Sequence, residues 1–342
     1  MFASFGKDPA GKELDTLKQS PNYRNNQFQN VVPTATLAED ASIVKTLWHF
    51  INKPKSNKPP KPLPAVKTDL KQSISDKPVI VWFGHSSYFI RVNSINILVD
   101  PVFSGYAAPF SFMNKSFAGT NVYSIDDMPA IDVLLITHDH YDHLDYETVT
   151  KLRPKVKHIY TSLGVASHLV YWGYNQQNIT ELDWWQSVTI TDNLQLIAAP
   201  ARHFSGRSFR RFTTLWSSFI LKTNEYNIYI GADSGYGNHF KEIGAKYGPF
   251  DMAVLENGQY NVAWPQIHQF PEEAVQACID LNAKVLMPVH WAKFDIALHP
   301  WDEPIKRLTK AAKEKGVQVT TPMIGEPVVI DGVYPCSEWW HL

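Results

Sequence analysis

The sequence predicts an α/β (α+β) fold in which two mixed β-sheets pack face to face with helices outside, as a four-layer αββα sandwich. Apolar runs of strand length come first along the chain, then helical segments, and the same succession follows a second time. No internal repeat of solenoid length is present, so a repeat architecture is not indicated. The order of the elements therefore predicts the fold class.

The first predicted sheet begins near residue 79. Three strands in close succession are indicated by the segments VIVWFG, SYFIRV and NILVDP. The segment IDVLLIT then has the apolar character and length of a buried strand. Two helices are expected to follow, over DYETVTKLR and GVASHLVYWG, and Gly173 ends the second of them.

The second half of the chain repeats this alternation. Three more strands are indicated by LQLIAAPA, TLWSSFILKT and YNIYIGAD. Residues 271–282 predict a helix, because the segment begins with a proline, which suits the first helical turn. A strand over AKVLMPVHW and a helix over 304–316, which ends at a glycine, complete the predicted domain.

The first 76 residues differ in composition from the rest and are predicted to form an N-terminal arm, a short helix and a proline-rich linker. Residues 1–30 are polar and indicate an extended arm rather than a core element. Residues 53–64 are rich in proline and lysine, which favours a semi-extended linker. A helix is predicted over 36–50 with its apolar residues on one side, namely Leu37, Ile43, Val44, Leu47 and Trp48. The main domain is expected to span 77–342.

Composition and charge exclude several classes of protein. A length of 342 residues fits one sizeable domain with an extension, and a net charge of −1 gives no support for a nucleic-acid partner. No run approaches the about 18 apolar residues of a membrane span, and the N-terminus lacks the pattern of a signal peptide. The protein is expected in the cytoplasm or at the periphery of a membrane, or outside the cytoplasm if a leader has been removed from the sequence. Cys278 and Cys336 are predicted to be ordinary thiols.

The strongest chemical signal is the segment THDHYDHLD, residues 137–145. It places four metal-binding side chains directly after a buried strand: His138, His140, Asp142 and His143. A tight loop at a strand end can turn such short side chains toward one point, and imidazole and carboxylate are ligands that zinc prefers. The segment therefore predicts a metal site rather than a polar loop with chance histidines.

Three further candidates follow apolar strands elsewhere in the chain: His203, Asp233 and His290. Functional loops gather at strand ends in layered folds, so we expect these side chains to join the first four. Seven ligands suit two metals, and we expect Asp233 to bridge them. The predicted groups are His138, His140 and His203 for one metal, and Asp142, His143 and His290 for the other. Two Zn²⁺ ions are expected, with Mn²⁺ or Fe²⁺ as substitutes.

The segment THDHYDHLD resembles the HxHxDH signature of the metallo-β-lactamase superfamily. One branch of that superfamily is matched more widely, from about residue 78 to about residue 300. The segments LVDPVFS, ELDWW, GADSGYG and HQFPEEAV resemble those of N-acyl-phosphatidylethanolamine-hydrolysing phospholipase D in order and spacing. The resemblance implies a metallo-β-lactamase-fold catalytic domain over 77–342 and the same seven metal ligands.

The resemblance also implies an activity. It points to a zinc-dependent phosphodiesterase that acts on N-acyl-phosphatidylethanolamine-like phospholipids through a metal-bridging hydroxide. The catalytic candidates are Asp142, Asp233 and His268. Asp233 would set the spacing of the metals, and His268, which matches an active-site histidine that does not bind metal, would orient the phosphate or protonate the leaving group. A phospholipid, met at a membrane surface, is the expected partner, and the resemblance leaves a homodimer open.

The sequence also suggests roles for residues around the predicted site. Four arginines flank His203, namely Arg202, Arg207, Arg210 and Arg211, and one of them could pair with phosphate or all could lie in a solvated basic loop. His85 is expected to contact one of the metal ligands, rather than a metal, and to hold that ligand in place. Segment 102–120 could line an acyl groove, touch a membrane or simply cover the domain. Trp184 and Trp185 are expected in the core.

Three alternative functions remain open at this point. The first is a soluble zinc hydrolase of lactones or of small cyclic or sugar phosphates. The second is a non-catalytic binding module, against which the complete ligand set argues. The third is nucleic-acid processing, against which the neutral charge argues. The segments ELDWW and HQFPEEAV favour the lipid phosphodiesterase over the first alternative.

Overall fold

Two seven-stranded β-sheets form the centre of the molecule in a computed structural model, which describes residues 3–342. Ahead of the sheets lies an N-terminal segment with little regular structure. It contains helix α1 (Lys12–Leu17), the short paired strands β1 (Tyr23–Arg24) and β2 (Gln27–Phe28), and helix α2 (Ile43–Ile51). The proline-rich stretch that follows α2 leads into the first strand of the main domain.

The first sheet is built from the first half of the domain and one late strand. Its strands are β3 (Val79–Trp82), β4 (Tyr88–Val92), β5 (Ile95–Val99), β6 (Ile131–Ile136), β7 (Val156–Ser162) and β8 (Ile179–Leu182). Strands β3, β4 and β5 pair antiparallel, whereas β5 to β8 run parallel. The parallel connections carry α3 (Tyr146–Leu152) and α4 (Ala166–Tyr171).

The second sheet is built from the second half of the domain. Its strands are β9 (Ser187–Thr191), β10 (Leu194–Pro200), β11 (Ser217–Lys222), β12 (Asn227–Ile230), β13 (Met252–Glu256), β14 (Val285–Val289) and β15 (Gln318–Val319). Strands β9 to β12 pair antiparallel and β12 to β15 run parallel. Its helices are α5 (His239–Tyr247), α6 (Pro271–Asp280) and α7 (Glu303–Lys315), and strand β16 (Pro327–Val329) returns to pair with β3.

Both faces of the first sheet are buried, as alternate residues of β3 show. Ile80 and Trp82 belong to the apolar core that the two sheets share. Val79 and Val81 pack instead with the cluster that includes residues of α3 and α4. Because successive strand residues point to opposite faces, this alternation places a second sheet on one side and helices on the other. The predicted four-layer αββα sandwich is confirmed.

The predicted helix over 36–50 begins later than the sequence indicates. Helix α2 starts at Ile43, because Ser42 is extended and its hydroxyl accepts a hydrogen bond from the Lys45 N–H at 3.3 Å. This is the geometry of an N-cap, so the helix begins directly after Ser42. The residues before Ser42 are irregular. Over residues 3–342, no helix is long and apolar enough to cross a membrane.

The N-terminal arm is anchored to the main domain. Leu17 and Phe28 are buried in an apolar cluster with Trp184 and Trp216. The arm then ends on Asn30, whose side-chain amide donates to the carbonyl oxygen of His203 at 2.8 Å. The amide oxygen of Asn30 accepts from the His203 N–H and from Trp216 Nε1, both at 3.1 Å. One side chain of the arm therefore satisfies three polar groups of the domain.

Replacing this side chain should destabilise the whole fold. Asn30→Ala leaves the buried N–H and carbonyl oxygen of His203 without a partner, whereas Trp216 Nε1 keeps its second acceptor, the carbonyl oxygen of Ala201. We therefore expect the free energy of unfolding to fall by about 2–4 kcal/mol. Urea titration followed by circular dichroism would measure the shift in the unfolding midpoint. Asn178→Ala, at an exposed position of the main domain, is the matched control. Equal midpoints for the two variants would show that the Asn30 bonds contribute nothing.

Candidate metal centre

The loop after β6 gathers the four side chains of the central motif. Thr137 fixes the start of this loop, since its N–H and its hydroxyl donate to the two oxygens of Asp100 at 2.8 and 2.6 Å. The loop then tightens, because the N–H groups of His143 and Leu144 both donate to the carbonyl oxygen of His140. This turn brings the side chains at 138, 140, 142 and 143 to one edge of the sandwich.

The other three candidates reach the same edge from the second sheet. His203 follows β10, Asp233 follows β12 and His290 follows β14. His290 has a φ of 67°, a left-handed conformation that a non-glycine residue adopts only where its surroundings hold it. The structure thus brings all seven residues that were predicted from the sequence into one buried cluster.

Four of these residues form a first group: His138, His140, His203 and Asp233. Each offers a nitrogen or oxygen atom, and these atoms all lie within 4.8 Å of one another. His140 Nδ1 is 3.0 Å from His138 Nε2 and 3.2 Å from His203 Nε2. Asp233 Oδ2 lies 3.9 Å from His138 Nε2 and 3.7 Å from His203 Nε2. The group could hold one metal ion.

A second group lies beside the first and consists of His85, Asp142, His143 and His290. The other oxygen of Asp233, Oδ1, is 3.1 Å from both His143 Nε2 and His290 Nδ1. Asp233 therefore faces the first group with Oδ2 and the second with Oδ1. This position between the groups is the one that a bridging carboxylate would need.

The hydrogen bonding and the charge around the donor atoms fit a divalent metal. His143 Nε2, Asp233 Oδ1 and His290 Nε2 are buried and have no hydrogen-bond partner. Buried polar atoms are nearly always paired because an unpaired one is costly, so three such atoms in one cluster indicate a missing partner. Burial also lowers the pKa of His138, His203 and His290 well below the usual value. Neutral imidazoles keep the lone pair that a metal requires.

The electrostatics of His143 point the same way. Burial by itself would lower its pKa, but the carboxylates of Asp233, Asp142 and Asp100 outweigh burial and hold that pKa well above the usual value. Three acids around one histidine thus favour positive charge at this place. A divalent metal supplies positive charge without a proton.

Neighbouring groups fix the orientation of the histidines. His143 Nδ1 lies 2.8 Å from Asp100 Oδ2, and His203 Nδ1 lies 2.8 Å from the carbonyl oxygen of Ile267. Both partners are acceptors, so both Nδ1 atoms carry the proton and both Nε2 atoms are left for a metal. Asp100 was not predicted from the sequence. It stands directly after the apolar strand β5, which is the same signal that identified Asp233.

His85 lies where a supporting residue was expected. Its Nε2 is 2.8 Å from Asp142 Oδ2, and its ring is buried. Burial lowers the pKa of His85 to about 4 despite this carboxylate. A neutral His85 can therefore hold Asp142 in place by donating from Nε2.

His268 lies at the wall of the centre and is paired with an acid that was not predicted. Its Nδ1 is 2.7 Å from Glu256 Oε2. The other oxygen of Glu256 accepts from the N–H groups of Ser234 and Gln269, at 2.8 and 3.1 Å. Burial lowers the pKa of His268 and raises the pKa of Glu256 well above its usual value. Glu256 is the last residue of the apolar strand β13, so its position carried the strand-end signal as well.

The four arginines near His203 have different surroundings. Arg207 is buried and donates to the carbonyl oxygens of Ser4, Asp139 and Leu144, so it braces the metal-binding loop. Arg202 donates to Thr34 and to the carbonyl oxygen of Tyr236. Arg210 is exposed. Arg211 lines the cavity of the metal centre and lies 5.2 Å from the ring centroid of Phe204.

An open cavity of about 370 Å³ leads from solvent to the two groups. Its floor includes His140, Asp142 and His268. Its apolar wall is formed by Leu37, Phe50, Phe204, Trp264 and Ile267. Segment 102–120 does not line this cavity: Phe103 and Phe117 are buried, whereas Phe112 is exposed. Trp184 is buried as expected, and Trp185 is half-buried and stacks on Tyr247.

Comparison with known proteins places this geometry in a family. The model of the beta-lactamase superfamily domain matches residues 95–291, which is more than half of the chain. An uncharacterized protein of Mycobacterium tuberculosis is 37% identical over 345 residues, covering 99% of this chain and 92% of the relative. N-acyl-phosphatidylethanolamine-hydrolyzing phospholipase D 1 of Caenorhabditis elegans is 29% identical over 264 residues, covering 72% of this chain and 74% of the relative.

A solved structure supports the fold. The metallo hydrolase Igni18 of Ignicoccus hospitalis superposes with a TM-score of 0.58 at 19% identity, covering 74% of this chain and 97% of that chain. At this identity the likeness concerns the fold alone. The family match shows that the chain belongs to the beta-lactamase superfamily domain family, and together with the His/Asp clusters it identifies the chain as a metal-dependent hydrolase of the metallo-β-lactamase fold.

Proposed function

We propose that this hydrolase is a zinc-dependent phosphodiesterase of the phospholipase D type. Its substrates would be N-acyl-phosphatidylethanolamine-like phospholipids, which it would cleave to N-acylethanolamine and phosphatidic acid. The observation that carries the proposal is the position of Asp233 between two His/Asp groups at the floor of a cavity with an apolar wall. The name of the Caenorhabditis elegans relative supports the choice of substrate.

The ligand set determines which residues would hold the metals. His138, His140 and His203 would bind one ion, Asp142, His143 and His290 the other, and Asp233 both. We propose zinc because imidazole and carboxylate ligands suit it, with Mn²⁺ or Fe²⁺ as substitutes. When bound, two such ions supply a water of lowered pKa and positive charge next to the phosphate.

The residues of the chain that face the cavity would position the phosphodiester. Arg211 reaches the cavity from one side, and a guanidinium can pair with two oxygens of a phosphate at once. Asp142 is held by His85, which keeps its carboxylate in one orientation. The apolar wall with Phe50, Phe204 and Trp264 would exclude water from one side of the substrate and contact an acyl chain.

His268 is the residue we propose for proton transfer to the leaving alcohol. In this proposal Glu256 Oε2 accepts a hydrogen bond from the Nδ1–H of His268, which leaves the lone pair of Nε2 for the substrate and the attacking water. Burial lowers the pKa of His268 and keeps the imidazole mostly neutral, so Nε2 would first accept a proton from the attacking water and then donate it to the leaving oxygen. Glu256 acts through His268 and is therefore a positioning residue.

A second candidate function follows from the size of the cavity. A volume of about 370 Å³ admits a phosphate headgroup and part of a chain, but also a whole lactone or a small cyclic phosphate. Such a substrate would use the same floor and would leave part of the apolar wall uncovered. A hydrolase that acts on small soluble lactones or phosphates is therefore the second candidate function.

The first test is a product assay on the lipid. Zinc-loaded protein incubated with N-acyl-phosphatidylethanolamine in mixed micelles should release N-acylethanolamine and phosphatidic acid in equal amounts, detected by mass spectrometry. Small lactones and cyclic phosphates tested in parallel should be turned over more slowly, because they leave the apolar wall uncovered. Turnover of the small substrates without any lipid product would replace the proposed function by the alternative.

The second test concerns the metals. His140→Ala removes a ligand of the first group, so we expect zinc content to fall from about two ions per chain toward one and turnover to fall by at least about a hundredfold. Zinc would be measured by plasma mass spectrometry on the purified protein. His341→Ala, at an exposed position, is the matched control. Full zinc content and full turnover in His140→Ala would remove His140 from the ligand set.

The third test separates positioning from metal binding. In Glu256→Gln, the amide oxygen can still accept from Ser234 and Gln269, so the amide nitrogen must face His268. His268 would then accept at Nδ1 and carry its proton on Nε2, the reverse of the arrangement proposed above. We expect kcat to fall by roughly 10–100-fold with zinc content unchanged. Glu314→Gln, on the exposed side of α7, serves as the control, and an unchanged kcat would show that Glu256 does not act through His268.

A further inference from the structure

Helix α2 turns an apolar side to solvent. Val44 is 77% exposed and Ile51 is 82% exposed, and Leu47 and Trp48 between them are exposed as well. These four residues are spaced so that they share one side of the helix. A surface helix normally buries its apolar stripe, so an uncovered stripe indicates a partner for this surface.

Contacts on the other side of α2 fix this orientation. Thr46 and Phe50 line the cavity of the metal centre. The ring of Phe50 stacks on Trp264 at 5.9 Å. Just beyond the helix, Lys53 Nζ pairs with Asp295 at 2.8 Å. With one side of the helix bound to the domain, the apolar side has to face away from it.

Positive charge surrounds the exposed stripe. Residues 42–62 contain five lysines and no aspartate or glutamate. Four of these lysines are exposed, namely Lys45, Lys55, Lys58 and Lys61. Beside the helix, Lys53, Lys58 and Lys115 line a cleft of about 350 Å³ together with Phe50 and the exposed Phe112. The cleft also contains Asp295, which pairs with Lys53, so its free positive charge comes from Lys58 and Lys115. Exposed apolar and cationic side chains therefore lie together beside the cavity of the metal centre.

Two further loops place exposed apolar side chains near this entrance. Val262 is exposed and lines a groove shared with Lys45 and Thr46 of α2 and with Asp40, the one acid in its lining. Phe209 is fully exposed in the loop that brings Arg211 to the cavity. We use the name apolar rim for the residues Val44, Leu47, Trp48, Ile51, Phe112, Phe209 and Val262.

We propose that the apolar rim inserts into an anionic phospholipid surface and so sets the entrance of the metal centre against the membrane. A basic amphipathic helix typically lies in the plane of the lipid interface, with its apolar side chains among the acyl chains and its lysines near the phosphates. The lysine-lined cleft would face the same headgroups. The proposal deepens the proposed function and rests on it in one respect only. If the substrate is a phospholipid, docking would let that lipid pass from the membrane surface into the cavity.

A second copy of the chain is a poorer occupant of this surface. A twofold interface would bring the apolar rim of one copy against the same rim of the other, and the lysines of both would then face each other. Like charges across an interface weaken it. An anionic lipid surface instead offers the charge that the lysines lack.

The experiment is flotation of the zinc-loaded full chain with vesicles that contain no N-acylated lipid. We expect binding to vesicles of phosphatidylcholine mixed with phosphatidylglycerol, and weaker binding to phosphatidylcholine alone. In Leu47→Glu, the partition coefficient should fall by about tenfold or more, since one leucine-sized apolar contact with lipid is lost and a charge is added. Val333→Glu, whose side chain is 95% exposed away from the rim, is the matched control and should bind as the unchanged protein does.

Three outcomes would overturn the proposal. They are no binding of the unchanged protein to the mixed vesicles, equal binding of Leu47→Glu and the unchanged protein, and a dimer in sedimentation velocity that Leu47→Glu dissociates while vesicle binding persists. Turnover of micellar N-acyl-phosphatidylethanolamine is measured separately on the same proteins. Vesicle binding without turnover would reject the proposed function and keep the docking, whereas turnover without vesicle binding would reject the docking alone.

Discussion

The burial of one carboxylate, that of Asp233, is the constraint on which the rest of the centre depends. The side chain is 2% exposed, and burial raises its pKa to about 6. One of its oxygens has no hydrogen-bond partner. A carboxylate in such a place is tolerated only where positive charge compensates it. Four histidine nitrogens lie within 3.9 Å of its oxygens, and they belong to the two groups that could hold that charge. The loops after β6, β10, β12 and β14 meet at this edge of the sandwich and place the donor atoms around the carboxylate.

Distant parts of the chain stabilise the loops that bear the donor atoms. Asn30 satisfies the backbone of His203, and Arg207 connects Ser4 with the carbonyl oxygens of Asp139 and Leu144 in the central loop. The N-terminal arm therefore contacts both loops. Because a ligand loop that moves by a fraction of an ångström changes the geometry at a metal, the arm contributes to the centre as well as to the fold.

The sequence was sufficient for the sandwich and for bringing the seven donor residues together, because both follow from apolar runs that end in polar residues. Asp100 and Glu256 carry the same signal and could have been found by applying it to every strand. Asn30 could not, since it acts on the backbone of a residue 173 positions away. The periodicity of α2 predicted which residues share a side, but not which side faces solvent, because that depends on contacts with Trp264 and Asp295. Whether the seven residues bind metal stays a prediction.

Helix α2 lines the cavity of the metal centre with one side and exposes apolar side chains to solvent with the other. Thr46 and Phe50 face the cavity, while Leu47 and Trp48 face outward from the same helical turns. The part of the chain shared with the family begins at residue 95, so the helix lies outside it. The donor residues after β6, β10, β12 and β14 belong to the shared part, and under the proposed function they would hold the metals that act on the phosphodiester. The N-terminal segment forms one wall of the entrance, so under the two proposals the choice of substrate and the surface where it is met would depend on residues outside the part matched by the family model.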